Sequence, residues 1–139
     1  PKGAADNLVD KTIELKNIKI GSTIALRNIF FDTGKSTLRP ESNSELDRLV
    51  KLLKDVPNLK IEIKSHTDSR ASAEYNMKLT NDRAKKVIDY IISNGIDPSR
   101  VSGRGYGETQ LLNNCAKGVK CSEAEHQINR RTEFIITAM

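Results

Sequence analysis

The stretch His66-Thr-Asp-Ser-Arg-Ala-Ser-Ala-Glu-Tyr-Asn-Met-Lys-Leu-Thr-Asn-Asp-Arg-Ala84 decides how this chain is read. It carries one acid, Asp68, and one guanidinium, Arg83, fifteen residues apart, with Asn76 between them. An Asp and an Arg that meet across a pocket form a receptor for a zwitterion. The acid takes an ammonium, and the Arg takes a carboxylate through two parallel hydrogen bonds. No nucleophile or metal cluster lies nearby in the sequence, so the expected chemistry is binding without reaction.

Working outward, the residues before this stretch read as a strand. Leu59, Ile61 and Ile63 alternate with Lys60, Glu62 and Lys64, and deliver His66 and Asp68 at the strand's C-terminal end. The residues after it read as a helix. Ala84, Val87, Ile88, Ile91 and Ile92 make an apolar stripe, and Asn94-Gly95 closes it. A helical region is predicted from near Ser72, with Thr80 as N-cap of its main segment and Asp82 complementing the dipole. On that reading Arg83 sits in a first helical turn, where free N–H groups favour a carboxylate.

Upstream, Leu46, Leu49, Val50, Leu53 and Val56 recur at helical spacing between Pro40 and Pro57. Before them, Ile13–Ile20 and Ile24–Phe31 are strand candidates, and Asp32–Ser36 is a turn with Gly34 available for a positive φ. Downstream, Val101–Tyr106 and Glu133–Thr137 are strands, and residues 113–127 form a loop with some helix. The order β-α-β-α-β with an added strand predicts an α/β (α+β) sandwich, with helices on one face of a mixed sheet. Residues 1–10 are expected to be a frayed lead-in, and residues 11–139 one domain.

The 139 residues and 15.5 kDa suffice for a single core. Aromatics are only 4% of the chain, so that core must be built from Leu, Ile and Val. No apolar run approaches the roughly 18 residues of a membrane span. The chain opens on Pro1 without a signal peptide, which reads as a mature or excised fragment. The formal charge of +5 comes from 23 basic and 18 acidic residues that are interspersed rather than striped. With no basic cluster and no aromatic stacking platform, nucleic acid is not an expected partner.

The motif Thr67-Asp68, then Asn76, Leu79, Thr80, Arg83 and Ala84, resembles the peptidoglycan-binding domain of the OmpA C-terminal family. That family includes the peptidoglycan-associated lipoprotein and the flagellar stator protein MotB. Further blocks occur in the family's order: Ile29-Phe30-Phe31-Asp32, Leu38-Arg39-Pro40-Glu41, Gly103–Glu108 and Asn129-Arg130-Arg131-Thr132-Glu133. The resemblance runs from about Ile24 to Ile136. It implies the same α/β sandwich and a non-catalytic, cofactor-free anchor that grips the free end of diaminopimelate in the cell-wall stem peptide. It also implies a periplasmic location, tethered to the outer membrane or an envelope complex through a parent protein.

On that resemblance Asp68 and Arg83 form the grip, and Thr67, Asn76 and Leu79 shape the pocket. Phe31-Asp32 form a ligand-facing turn that works mostly through backbone groups. Of Arg130 and Arg131, one reaches the ligand carboxylate while the other braces the sheet. Blander readings stand beside these: Arg83 as a surface salt bridge, Asp68 as an Asx-turn, Asn76 as a loop tie and Leu79 as core. The alternative function is a protein-interaction module of an envelope or secretion complex that no longer binds the wall.

The chain departs from the family pattern at Ser65 and Ala71, where many members have Gly. Ala71 is preceded by Arg70, and both the loop's path and any contact from Arg70 are in question there. Cys115 and Cys121 form an elaboration found only in some relatives. In an oxidising compartment they are expected to bridge, contributing about 2 kcal/mol on the chain-entropy model. The competing reading is a metal site with His126, which lacks a fourth ligand. Reduction is expected to loosen the 113–127 loop without emptying the pocket.

Two other signals are declined. Ser65 and His66 point to opposite faces of a strand and cannot meet as a catalytic pair. Gly103–Gly107 opens no helix behind it, so it is not a dinucleotide loop. Its glycines are expected to permit a bend or close backbone approach.

Overall fold

The computed structural model describes residues 19–32 and 34–139. The lead-in at residues 1–10 and nearly all of the Ile13–Ile20 strand candidate lie outside them. The elements in order are β1 (Thr23–Leu26), a 3-10 turn (Pro40–Ser42), α1 (Asn43–Asp55), β2 (Lys60–His66), α2 (Ala73–Ser93), a second 3-10 turn (Pro98–Arg100), β3 (Val101–Gly107), α3 (Glu123–Asn129) and β4 (Arg131–Ala138). The sheet order is β1-β4-β2-β3. β4 runs antiparallel to both β1 and β2, and β3 runs parallel to β2. The mixed α/β sandwich expected from the sequence is therefore the fold observed.

Alternation along β2 puts Ile61 and Ile63 in the core, where they meet Phe134 and Ile136 of β4. Leu46, Leu49, Leu52 and Leu53 of α1 and Ala84, Val87 and Ile91 of α2 close the same core. Fully burying each such side chain stabilises by roughly 1.5–3 kcal/mol. Pro40 opens its helix through a 3-10 turn, and the run ends at Val56 before Pro57. Arg100 takes carbonyls at the end of α1 and just beyond it. Its guanidinium donates to Leu53 O at 2.6 Å, Val56 O at 2.8 Å and Leu59 O at 3.0 Å.

Three expectations change here. The strand predicted at Ile24–Phe31 stops at Leu26, because Asn28 takes a positive φ of 64° and turns the chain; Phe31 returns only as a single bridge to Leu38. α2 is one continuous helix capped by Ser72, whose side chain accepts from Tyr75 N. Thr80 is therefore mid-helix. Its hydroxyl back-bonds to Asn76 O at 2.9 Å and accepts from Gly107 N at 3.0 Å, joining α2 to β3. Asp82 is mid-helix too, and pairs with Lys78 instead of the helix dipole.

The Gly103–Gly107 run does serve close approach. A Cβ on Gly105 would lie 2.1 Å from Thr80 Oγ1 and 2.3 Å from Asn81 N, so only glycine lets α2 sit this near the strand. This contact fixes how α2 lies against the end of β2, and hence where Arg83 and the Asp68 loop stand.

Candidate functional site

A cleft of about 580 Å³ opens at the C-terminal end of β2. Thr67, Asp68, Asn76, Leu79, Arg83, Phe31, Arg130 and Arg131 all line it. Asp32 does not: its carboxylate turns to Arg39 at 3.1 Å, and only its backbone carbonyl, at 3.4 Å from Arg83 Nη2, reaches toward the site. That agrees with a turn acting through backbone groups.

Asp68 is buried, and its carboxylate is already engaged. Oδ1 accepts from Arg70 N at 2.9 Å, the expected Asx-turn, while Oδ2 accepts from Arg70 Nη2 at 2.8 Å and Arg130 Nη1 at 2.5 Å. Burial pushes its pKa up, but the hydrogen bonds from Arg70 and Arg130 outweigh this and hold it at about 2. It is a fixed anion throughout the physiological range.

Arg83 is half-buried. Nε donates to Lys35 O at 2.8 Å, and the guanidinium lies 4.8 Å from the centroid of the Phe31 ring. Among the described residues it has no carboxylate within ion-pair distance, which argues against the surface-salt-bridge reading. Burial lowers its pKa, opposed by Tyr75 and joined by repulsion from Arg130. Because α2 is continuous, Arg83 lies in the helix interior and no free helix N-terminus assists it, contrary to the sequence expectation. Any attraction for an anion at this position comes from the guanidinium itself.

The two adjacent arginines separate clearly. Arg131 is committed to the frame, donating to Glu133 at 2.8 Å, Gln110 O at 2.8 Å and Asn129 O at 3.3 Å. Arg130 faces Asp68 and also binds Glu123 and Gln127. Asn76 ties the loop, donating to Arg70 O at 2.7 Å and Glu108 Oε1 at 2.9 Å. Leu79 is a half-buried wall residue. Thr67 Oγ1 is buried without a hydrogen-bond partner among the described residues, and Thr67 lines the cleft.

Sequence reasoning missed Glu123, Gln127 and Tyr75 in the wall, and left Arg70 in question. Arg70 could have been found from its position two residues after Asp68, the reach of an Asx-turn. Glu123 could not, since 55 residues separate it from Asp68. Ala71 adopts φ 69° without the freedom of glycine. The left-handed conformation costs about 1–2 kcal/mol for a residue with a Cβ, and glycine's extra unfolded entropy offsets about 0.5–1 kcal/mol of any gain. Ala71→Gly is therefore expected to stabilise the domain by about 0.5–1 kcal/mol, measured by urea unfolding; a loss of stability would mean the loop is not strained.

Cys115 and Cys121 are disulfide-bonded, which removes the metal reading with His126. The loop they close is not remote from the site, however, because Glu123 and Gln127 follow it directly into the cleft wall.

His66 is buried against Glu133 at 2.9 Å and stacks on Tyr106. Burial lowers its pKa, partly offset by the Glu133 hydrogen bond. Glu133 feels a raising effect of burial too, but hydrogen bonds from His66 and Arg131 take it down to about 2. All three shifts are depressions, so the native state binds fewer protons than the unfolded chain. The His66 contribution is lost as pH falls below about 6.5, and those of Asp68 and Glu133 as pH falls from about 4 toward 2. For Asp68 the linkage is on the order of 2 kcal/mol, an upper figure because its partner Arg70 is half exposed. Asp68→Asn is expected to be less stable than wild type at pH 7, with the difference closing between pH 4 and pH 2 in thermal melts. A gap unchanged at pH 2 would show that the ionised carboxylate is not its source.

The sequence profile described as the OmpA family matches residues 30–125. The chain belongs to the OmpA family. It is 32% identical over 111 residues to outer membrane porin F of Pseudomonas fluorescens, covering 80% of this chain and 32% of that protein. It is 36% identical over 87 residues to the peptidoglycan-associated lipoprotein of Rhizobium meliloti, covering 63% of this chain and 49% of that one. The chain thus spans about a third to a half of these relatives' lengths. A MotB-like protein from Desulfovibrio vulgaris has a similar structure, with TM-score 0.72 and 27% identity over 84% of this chain and 73% of its own. No described helix is long and apolar enough to cross a membrane.

Proposed function

We propose that this domain binds peptidoglycan non-covalently, through the diaminopimelate of the stem peptide, and so anchors a parent envelope protein or complex to the wall in the periplasm. The observation that carries this reading is the state of Arg83. It is a half-buried guanidinium in the wall of a cleft, held by backbone carbonyls and an aromatic ring, with no carboxylate partner among the described residues. A partly desolvated cation with no anionic partner among the described residues suits an anionic ligand group. Asp68, ionised in the same cleft, supplies the complementary charge for an ammonium. Membership of the OmpA family, and the peptidoglycan association in the name of one relative, support the same ligand class.

The domain holds its ligand and performs no reaction on it. His66 is occupied by Glu133 and Tyr106, and Ser65, which also lines the cleft, makes no hydrogen bond to it among the described residues. Pull-down with purified sacculi tests the reading: the wild-type domain is retained and eluted intact. Failure to be retained would favour the protein-interaction alternative, and release of soluble muropeptides would favour an enzyme.

A further inference from the structure

The loop carrying Asp68 does not stand alone. Ser69 Oγ donates to Cys115 O at 2.5 Å. Lys117 Nζ donates to Ser69 O at 2.9 Å and Ala71 O at 2.5 Å, and pairs with Glu108 at 2.9 Å. Lys117 lies inside the ring closed by Cys115–Cys121. Immediately beyond Cys121, Ser122 caps α3 in a capping box, and Glu123 binds Arg70 at 3.0 Å and Arg130 at 2.5 Å. Those are the two guanidiniums that hold Asp68. Both ends of the disulfide ring therefore lead to the same carboxylate, one through the backbone of residues 69–71 and one through its counter-ions.

We propose that Lys117 is a positioning residue for Asp68, and that the Cys115–Cys121 disulfide makes ligand affinity depend on redox state; this rests on the binding role assigned to the cleft. Lys117 is about half exposed, with 48% of its side chain accessible. A long cation that far into solvent gives up much side-chain entropy to hold three acceptors, and unaided it contributes little. Closing the ring fixes the Lys117 backbone near its acceptors, so the chain entropy is already lost and only the side chain remains to be ordered when the bonds form. It also braces Ala71, whose positive φ needs support from outside the loop. Opening the ring frees Lys117 and the start of α3 together.

Reduction by a dithiol is balanced simply. A thiolate attacks the sulfur of Cys121, the partly exposed partner, and the sulfur of buried Cys115 leaves as thiolate. The second thiol of the reagent then releases Cys121. Two protein thiols result, and the dithiol becomes its own cyclic disulfide.

Calorimetric titration with L-Ala–D-Glu–diaminopimelate, before and after dithiothreitol, tests the coupling. Reduction should weaken binding at least fivefold, and reoxidation should restore it. Lys117→Met in the oxidised state should lose a similar factor and then respond little to reduction, while Lys117→Arg retains the wild-type behaviour. In the ligand-free protein the Arg70 amide, which donates to Asp68 Oδ1, should exchange with solvent at least fivefold faster after reduction. Unchanged affinity together with unchanged Arg70 exchange overturns the proposal. A full further loss on reducing Lys117→Met, as additive independent effects would give, overturns the route through Lys117. If the oxidised domain binds no peptide while Arg70 exchange still responds, the ligand assignment fails and the coupling stands.

Discussion

Replacing either Asp68 or Arg83 by alanine is expected to abolish retention on sacculi while leaving a folded domain. Each residue is one half of a charged contact made in a partly dehydrated cleft. Removing one partner from such a contact costs roughly 2–5 kcal/mol, or about 30-fold to several-thousand-fold in affinity. Arg83→Ala removes the receptor for a carboxylate and strips the cation from the face of Phe31. Asp68→Ala acts twice: it removes the acceptor for an ammonium and leaves Arg70 and Arg130 sharing Glu123 alone, with one of their two bridging anions gone. Asp68→Asn separates these effects, since the amide oxygen can still accept from Arg70 N while the charge is gone. Retention of a folded Asp68→Ala/Arg83→Ala double variant at the wild-type level would sink the site assignment. Circular dichroism of each variant guards against reading unfolding as lost binding.

The parts of this site that sequence revealed are those set by local pattern. The alternation of Leu59 to Lys64 announces β2, and a strand's end is where a loop can carry a functional acid. The stripe from Ala84 to Ile92 announces α2, and places Arg83 at its edge. What misled is equally local. Thr80 has the chemistry of an N-cap, and the residues before it are polar, so a helix starting there is the natural reading. In the fold, Asn76 and Thr80 spend that polarity on the loop and on β3, which a helix turned toward solvent would not need. Tertiary contacts override the cap preference.

The joining of the cations through Glu123 was not legible in the sequence. Arg70, Glu123 and Arg130 meet only because β4 lies beside β2 and α3 leads into it. The choice between Arg130 and Arg131 follows from the same geometry. Pairing of His66 with Arg131 in the ladder puts Arg131 beside Glu133, already a partner of His66, and leaves Arg130 just outside the strand to face the cleft.

Ligand chemistry gives the sharpest discrimination between a built receptor and a merely charged cleft. Diaminopimelate differs from lysine by a carboxylate on its far carbon, beside the ammonium. With a lysine-type peptide Asp68 could still hold the amine, but Arg83 would remain a half-buried cation without an anionic partner among the described residues. A site built to hydrogen-bond a group rejects the analogue lacking it far more strongly than an apolar pocket rejects a missing methylene. Lysine-type stem peptides are therefore expected to bind at least tenfold more weakly than those ending in free diaminopimelate, a difference of about 1.4 kcal/mol or more. Amidating the far carboxylate should weaken binding as well, since a carboxamide keeps the shape but loses the charge that makes the guanidinium bond strong. The wall as a whole adds to this preference: Arg70, Arg83, Arg130 and Arg131 line the cleft against two carboxylates, Asp68 and Glu123, so it favours a ligand that brings net negative charge. Calorimetry on the three peptides measures all of this at once. Equal affinities would make Arg83 a structural cation and place the grip elsewhere in the cleft; a deficit that vanishes in Arg83→Ala would trace the selectivity to that one side chain.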